Sequence, residues 1–256
     1  SDRWILSYNG EIYNHMSLRR RLGPMGWSSH CDTLTLLKCL DHKGIDWTLQ
    51  NIEGMFAFIA YDKFERKIYL AVDPFGIKPC FWYQDSETFA VASAPGALTC
   101  LKDKWSINPV ALCNMLSLGA TKEPLFDGMH RLSGGRVLTY DLSNQSITTT
   151  KYYERKEHKC TEEDLIEAVK ESIWSVKVAD VPVFMFLSGG VDSSIVSSQC
   201  YGMKAVHLDS PERKFAQQVA EKYSNELFFV HPVDYDAEKC LSDYAYQSGD
   251  CSAAAI

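Results

Sequence analysis

Residues 183–194 run Val183-Phe184-Met185-Phe186-Leu187-Ser188-Gly189-Gly190-Val191-Asp192-Ser193-Ser194, an apolar strand that passes into small residues and then into a helix. The glycines let the backbone approach an anion closely. Ser188, Ser193, Ser194 and the free amides at the helix start supply donors where the helix dipole is positive. A phosphate fits such a loop. It is neither the GxxxxGKS/T loop nor the GxGxxG fingerprint, because it has no loop lysine and its glycines are adjacent. A serine-capped Gly-Gly turn without a ligand is the plainer reading, and the agreement of strand, loop chemistry and helix argues against it.

Working outward, apolar runs at 183–187, 205–208 and 227–230 alternate with helix-like segments at 193–200 and 212–223. Continuous apolar strands between helices predict a parallel sheet covered on both faces. Upstream, Thr161 with Asp164 three residues on has the form of a capping box, and Ile166, Val169, Ile173 and Val176 mark the apolar stripe of an interdomain helix. The charged stretch 154–159 reads as a linker, so we divide the chain into domains 1–157 and 158–256. The first domain differs in character. Short strands are expected at 4–8, 55–61, 67–72, 80–83 and 88–92, with helices from near Asn14 and over 32–40, which predicts an antiparallel sheet carrying helices. Asn108 and Pro109 open a further helix that runs to about Gly119. The expected fold class is α+β followed by α/β.

With 256 residues and 46% hydrophobic side chains, the chain can fill two cores. A net charge of -7 argues against nucleic-acid and anionic-membrane partners. The apolar runs are too short for a membrane span, and no signal sequence opens the chain, so a soluble protein is expected. Nine cysteines without a CxxC pair predict a reducing, cytoplasmic setting and no zinc site, with Cys80, Cys113 and Cys200 in cores.

A second motif, Ser7-Tyr8-Asn9-Gly10-Glu11-Ile12-Tyr13-Asn14, offers the side-chain amide of Asn9 and the unhindered backbone N–H of Gly10, together an oxyanion hole for amide hydrolysis. Taken alone, Asn-Gly reads as a β-turn and Glu11 as a surface charge. Three ordered companions oppose that reading: Cys31-Asp32-Thr33, Gly54-Met55-Phe56-Ala57-Phe58 and Asp73-Pro74-Phe75-Gly76-Ile77-Lys78-Pro79. In the last of these Lys78 is expected to anchor a turn, while Met55, Phe56 and Phe58 are core.

These segments resemble the YNGEIYN, SDTE, GMFAF and DRFGIKPLYY stretches of class II glutamine amidotransferase domains. The loop at Ser188–Ser193 resembles the pyrophosphate loop of the ATP pyrophosphatase family. Together they resemble the glutamine-hydrolysing asparagine synthetases, with Thr139-Tyr140-Asp141 similar to the strand after that family's PPGH turn and Asp250-Cys251-Ser252-Ala253 similar to ADPSAIP. The resemblance implies an incomplete Ntn-type αββα sandwich followed by a parallel-sheet nucleotide-binding domain. It implies that Asn9 and Gly10 stabilise an oxyanion and that Asn9, Gly10, Glu11 and Asp32 bind glutamine. It further implies that Leu187, Ser188, Gly189, Gly190, Asp192, Ser193, Val206, His207 and Leu208 bind ATP, with Asp192 near Mg²⁺. ATP and Mg²⁺ are the implied cofactors, and glutamine, ATP and aspartate the implied small-molecule partners.

The pattern is also departed from. The family's N-terminal cysteine nucleophile and glutamine-carboxylate arginine lie well before YNGE, whereas here Ser1 stands only eight residues before Asn9 and is not expected to replace the cysteine. The SGDGGDE loop has no counterpart, and Tyr246-Gln247-Ser248 stand where acidic residues are usual. The chain therefore reads as truncated at both ends relative to the family, whether as an internal part of a longer polypeptide, the favoured reading, as a naturally trimmed gene product or as a chain completed by another, and these residues alone are not expected to turn over. The function expected by resemblance is ATP-dependent amidation of a carboxylate, aspartate, with glutamine-derived ammonia through an acyl-adenylate. The alternatives are a non-catalytic scaffold that keeps the fold and nucleotide binding, and an amidotransferase for another carboxylate. A homo- or hetero-oligomeric partner would cover the incomplete sheet.

Overall fold

Alternation of apolar and polar residues sets the architecture of the first unit in the computed structural model, which describes residues 1–119 and 121–231. This unit, Ser1–Lys156, carries eight strands. They are β1 (Trp4–Ile12), β2 (Gly54–Asp62), β3 (Lys67–Val72), β4 (Phe81–Gln84), β5 (Phe89–Ala92), β6 (Met129–Arg131), β7 (Arg136–Asp141) and β8 (Ser146–Lys151). Five form an antiparallel sheet in the order β1-β2-β3-β7-β8, and three form a second in the order β5-β4-β6.

Because side chains on a strand alternate, the five-stranded sheet has two apolar faces. One presents Trp4, Ile12, Phe56 and Phe58 to helices α1 (His15–Leu22) and α2 (Asp32–Asn51), where Leu18, Leu36 and Leu40 complete the core. The other presents Ala57, Leu70, Val72 and Leu138 beside Cys80, which leads into β4. The layers are helix, sheet and sheet, with a 3₁₀ helix at Pro95–Leu101 contacting β4 and β5. Helix α2 runs further than the expected 32–40, because two helical stretches meet at Gly44, whose φ of 78° only glycine adopts readily.

The turn after β3 is organised by a buried carboxylate. Asp73 is fully buried and accepts backbone N–H groups from Phe56 (3.3 Å), Phe75 (2.9 Å), Ile77 (3.1 Å) and Lys78 (3.0 Å). Asp73, through the amide of Lys78, is what anchors this turn. Gly134 packs on it so closely that a Cβ would lie 2.6 Å from Gly76 N. Helix α3 (Pro109–Leu118) is capped as expected, Asn108 Oδ1 accepting from Val110 and Ala111, and it ends on Gly119 in the left-handed region. Cys113 is a correction. It is exposed, because Ala111 alone marks the buried face of α3 and Cys113 lies two residues round the helix. Cys80 and Cys200 are buried.

The second unit begins at Glu157. Thr161 and Asp164 exchange both capping-box bonds at the start of α4 (Glu162–Ser175). Of the expected stripe only Ile173 packs on this unit's core, while Ile166, Val169 and Val176 are exposed. There follow β9 (Met185–Phe186), α5 (Val191–Ser198), β10 (Lys204–Leu208), α6 (Arg213–Lys222) and β11 (Glu226–Val230). The three strands pair in parallel in the order β11-β10-β9. Strand β9 is shorter than the expected 183–187, because only β10 flanks it among the described residues. Segments 246–248 and 250–253, singled out in the sequence, lie outside the described residues. No helix among the described residues is long and apolar enough to cross a membrane.

Candidate functional site

Asn9 and Gly10 lie in the middle of β1, paired with Ala57 and Phe56, and not in a turn. Gly10 has φ 148°, and a Cβ there would stand 2.1 Å from Met55 O and 2.7 Å from Phe56 Cα. Close approach of two backbones is what requires this glycine. Tyr13 N–H donates to Glu53 O at 2.8 Å, so the odd-numbered residues of β1 exchange bonds with β2. The amides of Tyr8, Gly10 and Ile12 then point to the opposite edge. Ile12 bears this out, its N–H donating to Asp32 Oδ2 at 2.9 Å. No strand pairs on that edge among the described residues, so the Gly10 N–H faces outward.

Asp32 opens α2 and stands on the same edge as Gly10, about 7 Å along the strand by two residues of rise. Its Oδ2 also accepts from the Tyr8 hydroxyl at 2.7 Å. Arg19 fixes the approach to Asp32. Buried in α1, it donates to Thr35 Oγ1, Ser29 O and Cys31 O, each at 2.7 Å, and lies 4.6 Å from the Trp27 ring. Asn9 and Glu11 are exposed and alternate onto the sheet face opposite α1 and α2. Beside Asn9 a cavity of about 160 Å³ opens between the sheets, lined by Ser7, Ala57, Pro79, Cys80 and Ala92 among others. Ser1 is tied elsewhere, its Oγ donating to Asp41 at 2.7 Å and accepting from Trp4 N at 2.8 Å.

Sequence reasoning missed Tyr8 and Arg19 as organisers of this edge, and Asp73 as organiser of the turn after β3. For Arg19 a partial signal existed: helical spacing turns Arg20 away from the face shared by Leu18 and Leu22 but leaves Arg19 and Arg21 flanking that face equally. Tyr8 gives no such signal, because its role depends on a partner 24 residues away.

In the second unit the loop follows β9 directly. Ser188 Oγ accepts from Gly190 N at 3.2 Å and lies 3.0 Å from Ser193 Oγ. Ser193 and Ser194 hydroxyls donate to Gly190 O at 3.2 and 2.7 Å. Gly189 has φ 86°, and a Cβ would meet Ala216 N at 2.6 Å, so this glycine seats the loop on α6. Gly190 caps α5 without a side-chain bond, and the first helical bond is Ser194 N to Gly190 O. The amides of Val191, Asp192 and Ser193 are therefore first-turn donors without helical partners. An open hollow of about 360 Å³, lined by Gly189, Val191, Ser194 and Ile195 among others, adjoins them.

The flanking residues play different parts. Leu187 has a buried side chain, its N–H donates to Val206 O at 2.9 Å, and its carbonyl lies 2.8 Å from His207 Nδ1. His207 is likewise buried, which turns its ring inward; Val206 is half-buried and Leu208 is 62% exposed. Asp192 is exposed in the first turn of α5. No group of three or more His, Cys, Asp or Glu side chains gathers to hold a metal among the described residues.

Two family matches cover most of the chain: residues 1–153 match the glutamine amidotransferase domain, and residues 162–246 match asparagine synthase. Putative asparagine synthetase [glutamine-hydrolyzing] 2 of Methanocaldococcus jannaschii is 32% identical over 243 residues, covering 90% of this chain and 46% of its own length. Asparagine synthetase [glutamine-hydrolyzing] 1 of Bacillus subtilis is 34% identical over 204 residues, covering 76% of this chain and 32% of its own length. The Rattus norvegicus asparagine synthetase [glutamine-hydrolyzing] is 28% identical over 275 residues, with 91% and 44% covered. The chain thus spans less than half the length of these relatives.

Proposed function

We propose, from the premise that the chain belongs to the glutamine amidotransferase family and continues into an asparagine synthase segment, that it serves ATP-dependent amidation of a carboxylate with glutamine-derived ammonia. The observation that carries this reading is the outer edge of β1, where a Gly10 N–H that meets no strand among the described residues and the Asp32 carboxylate stand two strand residues apart. That spacing is comparable to the reach of glutamine from its α-amine to its side-chain carbonyl. Asp32, aided by Glu11, holds the amine. The Gly10 amide and the Asn9 side chain donate to the oxygen that gains charge when the side-chain amide is attacked. The attacking nucleophile is not among the residues assigned here. What this part of the chain supplies is binding and charge stabilisation.

In the second unit the donor set suits phosphates. Ser188, Gly189, Gly190 and Ser193 form the cradle, the first-turn amides of α5 point to it, and the backbone of Val206–Leu208 borders the base. One exposed carboxylate, Asp192, fits Mg²⁺, which is held by one or two carboxylates together with substrate phosphates and water. When bound, the ion neutralises charge on the leaving pyrophosphate. The acceptor, aspartate in this reading, attacks the α-phosphorus through a carboxylate oxygen, and pyrophosphate leaves. Ammonia then attacks the acyl carbon, releasing AMP and the amide. Seven free thiols among the described residues accord with a cytoplasmic setting.

ATP–pyrophosphate exchange in the presence of aspartate tests the loop. Wild-type protein is expected to exchange label, and Asp192→Ala to lose at least about tenfold of it, the scale of one charge-assisted contact. Equal exchange by both proteins would remove Asp192 and its loop from the reaction.

A further inference from the structure

On the outer edge of β1 the two oxygens of one carboxylate are unequally engaged among the described residues. Asp32 Oδ2 accepts from the Tyr8 hydroxyl at 2.7 Å and from Ile12 N–H at 2.9 Å. Oδ1 is approached by the weak Cys31 thiol at 3.8 Å. The Tyr8 ring packs against the core cluster that contains Trp4, Phe56 and Leu36, so its hydroxyl has little freedom to leave Asp32. Burial first, and then the bond to Asp32, push the phenol well above its ordinary value, so it remains a donor across the physiological range. Arg19, holding Ser29 O and Cys31 O, fixes the backbone that carries Asp32.

We infer that Tyr8 is a positioning residue for recognition of the α-ammonium of the amino-acid substrate: it occupies Asp32 Oδ2 and thereby presents Oδ1, in one orientation, as the acceptor. This rests on the reading of Asp32 as the ammonium site. The consequence is selectivity. A ligand with a primary ammonium fills Oδ1, whereas a ligand without one leaves that carboxylate oxygen desolvated and unpaired, which is costly. Losing the Tyr8 hydroxyl lets the carboxylate rotate, so the ammonium loses its preset partner while the rest of the ligand loses nothing.

Equilibrium binding to the full-length polypeptide, with L-glutamine and its deamino analogue glutaramic acid as probes, decides the matter. Tyr8→Phe keeps the packed ring and removes only the hydroxyl. It is expected to weaken L-glutamine about tenfold and glutaramic acid by less than about twofold, as loss of one charge-assisted arrangement requires. Equal weakening of both ligands, or no change in either, overturns the assignment of Tyr8. Asp32→Asn separates the two levels. If Asp32→Asn binds L-glutamine as wild type does, or if wild type does not bind it, the ammonium site itself is wrong and Tyr8 falls with it. If Asp32→Asn is weakened and Tyr8→Phe is not, only Tyr8 is wrong.

Discussion

At Gly10 the absence of one carbon decides whether β1 and β2 can close. The atoms a Cβ would meet, Met55 O and Phe56 Cα, are backbone, and a flexible side chain cannot yield in their place. Gly54 shows the same constraint from the other strand, with Glu11 O at 2.0 Å from its added Cβ. Gly10→Ala is expected to destabilise the first unit by about 2 kcal/mol or more, read as a lower urea midpoint at an unchanged slope. A loss below about 0.5 kcal/mol would mean the strands part at no cost. This residue also shows what the sequence leaves open. Asn9-Gly10 between alternating residues spells a hairpin turn as readily as a squeezed strand, and only the ordered company of the other segments favours the second. Which oxygen of Asp32 is filled was not legible, because the donors Tyr8 and Ile12 come from a strand 20 or more residues away.

At the scale of elements, the β1–β2 pair is fastened at its far end by Asp62. This carboxylate accepts from Arg3 Nε at 3.0 Å ahead of β1, and from Phe64 N (3.0 Å) and Glu65 N (3.2 Å) in the turn toward β3. Burial by itself would raise the Asp62 carboxyl, but Arg3 and these two amides outweigh it and hold it below the usual carboxylate range. A depressed folded value contributes stability above the unfolded value of about 3.9, and that contribution is lost as pH falls through the folded value. The stability gap between wild type and Asp62→Asn should therefore be widest near neutrality and shrink as pH falls below about 4. A gap constant from pH 6 to pH 3 would contradict the clamp. Elements with strong local signals, such as the Asn108 cap and the Thr161–Asp164 box, stand where the sequence puts them. Those that depend on neighbours do not: β9 pairs with β10 over only two residues, and α2 is two helical stretches that meet at a non-helical Gly44.

At the scale of the molecule, each unit has its own core and its own candidate site. Cores built on Phe56 and Phe58 in the first unit and on Met185, Leu187 and Ala205 in the second follow directly from apolar runs in the sequence. The placement of side chains at the site was less legible. His207 in β10 and Leu187 just after β9 look equally available in sequence, yet both side chains are buried and the His207 ring reaches the Leu187 carbonyl. In the function proposed above, glutamine binds the outer edge of β1 while ATP binds the loop before α5. Amide hydrogen exchange followed by mass spectrometry, on the full-length polypeptide with each ligand alone, tests this most directly. Glutamine should slow exchange in the segment that contains Gly10 and leave residues 188–194 unchanged, and Mg-ATP should do the reverse. Unaltered exchange at Gly10 under saturating glutamine, or protection of 188–194 by glutamine in place of ATP, would contradict it.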